Sequence, residues 1–169
     1  MSRNKTVLIV DDEVINRTIL KEAFDSTYTI IEAANGNEAI DALKHGADDI
    51  GAVLLDLLMP VADGFTVLDF MKLTHLDTDI PVVVVTSDDT EFVQKKLKEY
   101  KISDILNKPF LPMVISRRTK SLINLYADKR RDIERLRNDN EKLKKENYEL
   151  KERLKTYEKT LKRIEKNFM

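Results

Sequence analysis

Cysteine and tryptophan are both absent from the 169-residue sequence. Without cysteine, no disulfide framework and no thiolate metal site is available, and a reducing compartment is the natural setting. Long apolar runs are missing as well. No stretch reaches ~18 consecutive apolar residues and the N-terminus lacks an apolar secretory core, so a cytoplasmic protein with no membrane span is expected. Glycine and proline are scarce, four of each, and all lie at or before Pro112. Turns stop there, and one uninterrupted helix is expected beyond that point.

Charge divides the chain at the same place. Residues 1–112 carry 11 Lys/Arg against 20 Asp/Glu, and residues 113–169 carry 18 against 10, so segments of −9 and +8 hide behind an overall −1. Two units with different physics share the chain.

In the first unit, short runs rich in Val, Ile and Leu recur at residues 6–10, 28–32, 52–55, 81–85 and 102–106. Read as apolar on both faces, they are parallel strands covered by helices. The segments between them, 14–25, 36–45, 64–73 and 89–100, show helical spacing, as in Ile15, Ile19 and Phe24 or in Phe65, Leu68 and Met71. Five such βα units predict an α/β fold, a doubly wound five-stranded parallel sheet. Ligands of such sheets sit beyond the carboxyl ends of the strands.

That rule gathers particular residues. Asp11 and Asp12 end the first strand, Asp56 the third, Thr86 and Ser87 the fourth, and Lys108 follows the fifth. Three carboxylates at one edge repel one another and take up protons unless positive charge intervenes, and a hard divalent cation, Mg2+, is the simplest remedy. Lys108 adds a point charge suited to an incoming anion such as a phosphoryl group. A carboxylate attacking phosphorus needs its own charge and the donor's offset while the two line up, so positioning and electrostatics supply nearly all the catalysis. Taken singly, these residues say less: Asp12 reads as a helix cap, Asp63-Gly64 as turn chemistry and Lys108 as a solvated loop lysine. His45 and His75 have no partner spacing and read as surface residues.

Four motifs stand at these strand ends: Val10-Asp11-Asp12-Glu13, then Leu55-Asp56-Leu57-Leu58-Met59-Pro60 with Asp63-Gly64, then Val85-Thr86-Ser87, and Asn107-Lys108-Pro109-Phe110. In this order, over roughly residues 5–125, the chain resembles the receiver domains of two-component response regulators. The resemblance implies a flavodoxin-like receiver in which Asp56 is both the phosphoacceptor and a metal ligand, Asp12 a direct Mg2+ ligand and Asp11 a ligand through water. It further implies that the main-chain carbonyl of Leu58 completes the protein's share of the coordination. Thr86 would hydrogen-bond one phosphoryl oxygen, Lys108 would pair with another, and the Lys108-Pro109 peptide would be cis. The implied partner is a sensor histidine kinase or phosphotransfer protein, and the implied chemistry stops at Mg2+-dependent self-phosphorylation and autodephosphorylation. Leu58 and Asp88, each two positions after a site residue, are expected to set the dephosphorylation rate. One position departs from the pattern: where many receivers carry an aromatic residue three places before the lysine, this chain has Ile105, β-branched and stiff at χ1.

The second unit carries a heptad. Ile133, Leu136, Asn140, Leu143, Asn147, Leu150, Leu154, Tyr157, Leu161, Ile164 and Phe168 alternate in steps of three and four. Asparagine recurs at a and leucine dominates the earlier d positions, which favours two parallel strands in register. The g-to-e neighbours agree, with Asp132 meeting Arg137 of a partner, Asp139 Lys144, Glu146 Lys151 and Arg153 Glu158. The expected organisation is a receiver at residues 1–125 and a homodimeric coiled coil at 126–169, continuous with the last receiver helix and pairing through residues 126–168. The basic cluster Lys129-Arg130-Arg131 is interrupted by acids and lacks an asparagine-centred base-reading pattern, so nucleic acid is not an expected partner.

Two functions of different class follow. One is a phosphorylation-gated switch whose coil passes the receiver's state to an effector beyond residue 169 or in trans. The other is a dimeric interaction scaffold with a secondary phosphorylation site. The heptad runs to the last residues without a stop signal, so an output domain is expected to follow, and diguanylate cyclase, phosphodiesterase and kinase outputs are all compatible.

Overall fold

The computed structural model describes residues 6–24 and 27–167, which leaves heptad position 168 outside the described residues. The chain divides into two compact units, residues 1–128 and 129–169.

In the first unit five parallel strands form one sheet in the order β2-β1-β3-β4-β5. They are β1 (Thr6–Val10), β2 (Thr29–Ala33), β3 (Ile50–Leu55), β4 (Val82–Thr86) and β5 (Asp104–Asn107), alternating with helices α1 (Val14–Glu22), α2 (Gly36–Gly46), α3 (Gly64–Leu73) and α4 (Glu91–Leu97). A short 3-10 turn, Leu76–Thr78, links α3 to β4. This is the doubly wound order, and its reversal between β1 and β3 opens a crevice at their carboxyl ends.

The unbroken apolar strands follow from cover on both faces. Leu8 and Val10 of β1, Val53 and Leu55 of β3, and Val82 and Val84 of β4 pack into one cluster with Ala39, Leu43, Leu68, Met71, Val93 and Leu97 from α2, α3 and α4. The alternate residues Val7, Ile9, Ala52, Leu54, Val83 and Val85 face Leu20, Phe24, Ile115 and Ile123. Alternating side chains thus serve two cores, which is why no polar residue interrupts these strands.

The edge strands do not follow that pattern. β2 and β5 are only partly covered, and Ile105 of β5 is 45% exposed. The strand expected at 102–106 is found at 104–107: Ile102 N–H is held in a turn by the Tyr100 carbonyl at 3.1 Å, and the Ser103 N–H bond to the Val82 carbonyl at 2.9 Å leads into the ladder. The helical face expected from Ile15, Ile19 and Phe24 is also corrected. Ile15 and Ile19 are exposed, and α1 anchors through Leu20 with Phe24 beyond its end. The buried stripe therefore runs along Asn16 and Leu20, and the polar residue at its head hid it. On α3 the expected face holds, with Phe65, Leu68 and Met71 all buried.

Helix α5 runs from Pro112 to Asn167, 56 residues without interruption. Proline opens it where its missing N–H is harmless. Within the first unit α5 buries Ile115, Ser116, Thr119 and Ile123. In the second unit the heptad residues Ile133, Leu136, Leu143, Leu150, Leu154, Tyr157, Leu161 and Ile164 form an exposed apolar stripe. No helix among the described residues is long and apolar enough to cross a membrane.

Candidate phosphoacceptor site

The strand ends place the acids as the topology requires. Asp56 N–H donates to the Val10 carbonyl at 2.8 Å, locking the end of β3 beside that of β1. Ligand oxygens of Asp11, Asp12 and Asp56 then lie within 4.8 Å of one another. Asp11 and Asp56 are buried at 2% and 5% exposure, whereas Asp12 opens to solvent.

Lys108 joins the two buried acids. Its ammonium donates to Asp11 Oδ2 at 2.7 Å and also to Asp56 Oδ2. Its backbone is held by an N–H bond to the Thr86 carbonyl at 2.8 Å, and the Lys108-Pro109 peptide is cis. Burial opposes the lysine's charge, but hydrogen bonds to Asp11 and Asp56 outweigh it and raise its pKa. Burial pushes the Asp56 carboxyl above the usual carboxylate range, with Lys108 and the Leu58 N–H, at 3.1 Å from Oδ1, pulling the other way. Burial thus makes Asp56 easier to protonate than a free aspartate, and the Lys108 ammonium is the main group working against that.

The remaining residues surround this pair. Thr86 is buried at the end of β4, and its Oγ1 accepts from Asp88 N–H at 3.2 Å, so the hydroxyl proton is left to donate. The Asp88 carboxylate is occupied with Thr90 N–H at 2.9 Å, the bond that holds its pKa below the ordinary value. Leu58 is half exposed beside Asp56. The loop behind Asp56 is shaped by Gly64, whose N–H donates to the Leu57 carbonyl at 3.0 Å, and by Asp63, which caps α3 through Thr66 N–H at 2.9 Å. Asp12 is not a cap: Glu13 occupies the start of α1 and makes no side-chain capping bond. His45 and His75 lie on the surface, away from this site.

Sequence reasoning missed Asn16 and Arg17. Asn16 Nδ2 donates to Asp11 Oδ1 and Oδ2 at 3.1 and 3.2 Å and to Glu13 Oε2 at 3.0 Å, and Arg17 reaches the carbonyls of Asp11 and Asp12. The available signal was their place in the first turns of the helix that follows an acidic strand end.

Oxygen-only donors, two of them buried, are the set a hard cation takes, so the residues fit Mg2+. The neighbouring ammonium suits an anion beside it. The chain is similar to known proteins. Residues 7–120 match the family model described as response regulator receiver domain. The alkaline phosphatase synthesis transcriptional regulatory protein PhoP of Bacillus subtilis is 31% identical over 121 residues, covering 71% of this chain and 49% of that protein. The chain thus spans about half the length of that regulator. The solved CheX-CheY-BeF3-Mg2+ complex from Borrelia burgdorferi is 30% identical, with a TM-score of 0.61 over 69% of this chain and 87% of that one. A CheY-like receiver from Methanospirillum hungatei shares the fold at 18% identity, with a TM-score of 0.67 over 76% of this chain and 99% of its own. Since the family model covers residues 7–120, well over half of the chain and including the whole acid–lysine cluster, this chain belongs to the response regulator receiver domains.

Proposed function

We propose that this chain is a phosphorylation-dependent switch of a two-component system, taking a phosphoryl group on Asp56 from a sensor histidine kinase or phosphotransfer protein. The carrying observation is the single ammonium of Lys108 shared by Asp11 and Asp56. In the transfer, an Asp56 carboxylate oxygen attacks phosphorus. The bond from phosphorus to the donor breaks with its electron pair leaving on the donor, and a mixed anhydride remains at Asp56. Water later cleaves it to carboxylate and inorganic phosphate. Asp11, Asp12, Asp56 and the Leu58 carbonyl would hold Mg2+, whose charge offsets that of the phosphoryl oxygens when it is bound. Lys108 then moves from the carboxylates to one phosphoryl oxygen and Thr86 donates its hydroxyl proton to another. Leu58 and Asp88 flank the approach of water and set how long the mark lasts.

The exposed heptad stripe supports a parallel homodimer through residues 126–168. In a parallel pair Asn140 and Asn147 meet their own copies and the g-to-e pairs all join opposite charges. Reversing one chain so that Asn147 faces Leu150 sets Lys144 against Lys151 and buries Asn147 against an apolar residue. Two side-by-side receivers would then act on one coil. Moving it from mostly one arrangement to mostly another takes about 5 kcal/mol, shared between two phosphorylations.

The test is the distance between spin labels on cysteines at position 133 of both chains, in a protein treated with a phosphoryl mimic and Mg2+. A dimer in both states with a shifted distance supports the switch. A monomer before phosphorylation overturns the constitutive dimer, and identical distances favour the scaffold function over transmission.

A further inference from the structure

Arg17 is a cation beside a cation site, and its guanidinium does not run out to solvent. Nη1 donates to the Asp11 carbonyl at 2.8 Å and to the Asp12 carbonyl at 3.1 Å, and only 13% of the side chain is exposed. Nε faces Glu32 Oε2 at 3.5 Å, and Glu32 Oε1 accepts from Lys21 Nζ at 2.8 Å. The hydrogen bond from Lys21 is the largest effect on the Glu32 carboxyl; burial, next in size, opposes it, and the charges of Lys21 and then Arg17 add to it, so the pKa lies below its ordinary value and the carboxylate is ionised at neutral pH.

Two opposing effects act on a cation bound at the neighbouring carboxylates. The guanidinium's charge repels it. Its hydrogen bonds, in contrast, tie the peptide planes of Asp11 and Asp12 to the first turns of α1. Two consecutive residues cannot send both carboxylates to one ion unless the backbone between them is held. Glu32, reaching in from β2 and shared with Lys21, offsets part of the repulsion and leaves the geometric effect dominant.

We propose that Arg17 is a positioning residue for the cation site, fixing the Asp11–Asp12 turn through its carbonyls, and that Glu32 is the counterion that offsets part of its charge. This rests on the assignment of Asp11, Asp12 and Asp56 as that site. It adds β2 and α1 to the machinery, through residues that touch neither metal nor phosphate.

Charge and positioning predict opposite signs for one substitution, and Mg2+ titration calorimetry on the full chain separates them. If Arg17 acted only by its charge, Arg17→Ala would tighten Mg2+ binding. As a positioning residue its loss weakens Mg2+ by about tenfold, the low end for groups that orient metal ligands. Glu32→Gln leaves the guanidinium uncompensated and is expected to weaken Mg2+ by less, with a loss that shrinks as salt is raised. Leu43→Ala, a core change remote from the carboxylates, is expected to lower the melting temperature and leave the Mg2+ affinity unchanged. Should Arg17→Ala fail to fold, Arg17→Lys takes its place, with an expected affinity between those of wild type and tenfold weaker. Wild-type or tighter Mg2+ binding in the folded Arg17 variant overturns the proposal, as does a salt-independent or absent effect of Glu32→Gln for the counterion. Asp12→Ala, which must abolish binding, reports separately on the site itself: Mg2+ affinity surviving there means the site is wrong, not Arg17.

Discussion

Replacing Gly64 by alanine tests how closely the fold and the acceptor are joined. A Cβ built at Gly64 lies 2.3 Å from the Asp56 carbonyl oxygen and 2.8 Å from Leu57 Cα. Both neighbours are main chain, so no side-chain rotation relieves the contact. An ordinary contact needs about 1 Å more, which must come from moving the start of α3 or the end of β3. Neither moves freely: Gly64 N–H is bonded to the Leu57 carbonyl at 3.0 Å and Asp56 N–H to the Val10 carbonyl at 2.8 Å. Overpacking of this kind costs about 3 kcal/mol, which for a receiver-sized domain lowers the melting temperature by roughly 10 °C. The same displacement carries Asp56 away from Lys108, and a misplacement of about 1 Å slows a positioned reaction by about 100-fold. Thermal melting followed by circular dichroism reads the first effect. The rate of phosphorylation by acetyl phosphate, taken well below the variant's melting point, reads the second. Gly46→Ala is the control, because a Cβ there meets nothing within 4 Å, and it is expected to gain about 0.5–1 kcal/mol from helix propensity. A Gly64→Ala protein that melts with the wild type and phosphorylates at the wild-type rate refutes the close approach and the coupling drawn from it.

Lys108→Ala is expected to leave Mg2+ binding intact, since an ammonium is no ligand, while phosphorylated variant protein fails to shift the label distance at position 133; a normal shift would leave the signal to Thr86 alone. Val61, in the loop after Asp56, holds φ at 71°, where a β-branched residue is strained. Val61→Asn is expected to raise stability by about 1 kcal/mol, read from denaturant unfolding. Tyr100 donates to Asp69 Oδ1 at 2.8 Å, and burial first, then Asp69, pushes its pKa from 10.0 up to about 12. The unfolded chain loses this proton first, so the stability the phenol contributes is present below its unfolded pKa and is lost as pH rises towards 12. Phenolate absorbance should show the late titration, and Asp69→Asn should bring it to lower pH.

Much of this was legible because it rests on patterns that burial enforces. Strands covered on both faces admit only apolar residues, so β1, β3 and β4 announced themselves, and the carboxyl-end rule then assembled Asp11, Asp12, Asp56, Thr86 and Lys108. The edge strands were harder, because Thr29–Ala33 and Asp104–Asn107 are only partly covered, with exposed residues such as Thr29, Glu32, Ile105 and Asn107 among them, and give a weaker signal. The face of α1 was misread for a related reason. Its apolar residues Val14, Ile15 and Ile19 point outward, while the inward stripe begins with Asn16, a polar residue engaged with Asp11. Arg17 was invisible for the same cause: a charged residue in a helix reads as solvated until the carbonyls it meets are known. Nor does periodicity register a close approach such as that of Gly64 to Asp56, which depends on where two separate elements cross.

The most direct measurement is the location of the phosphoryl group itself. Protein incubated with acetyl phosphate and Mg2+ is analysed by intact mass, and the labelled residue is found by borohydride reduction of the acyl phosphate and peptide mapping. The expected result is one phosphoryl group per chain, on Asp56, dependent on Mg2+ and missing from Asp56→Asn. A group mapped to any other residue, or undiminished incorporation in Asp56→Asn, would contradict the assignment of Asp56 as the acceptor.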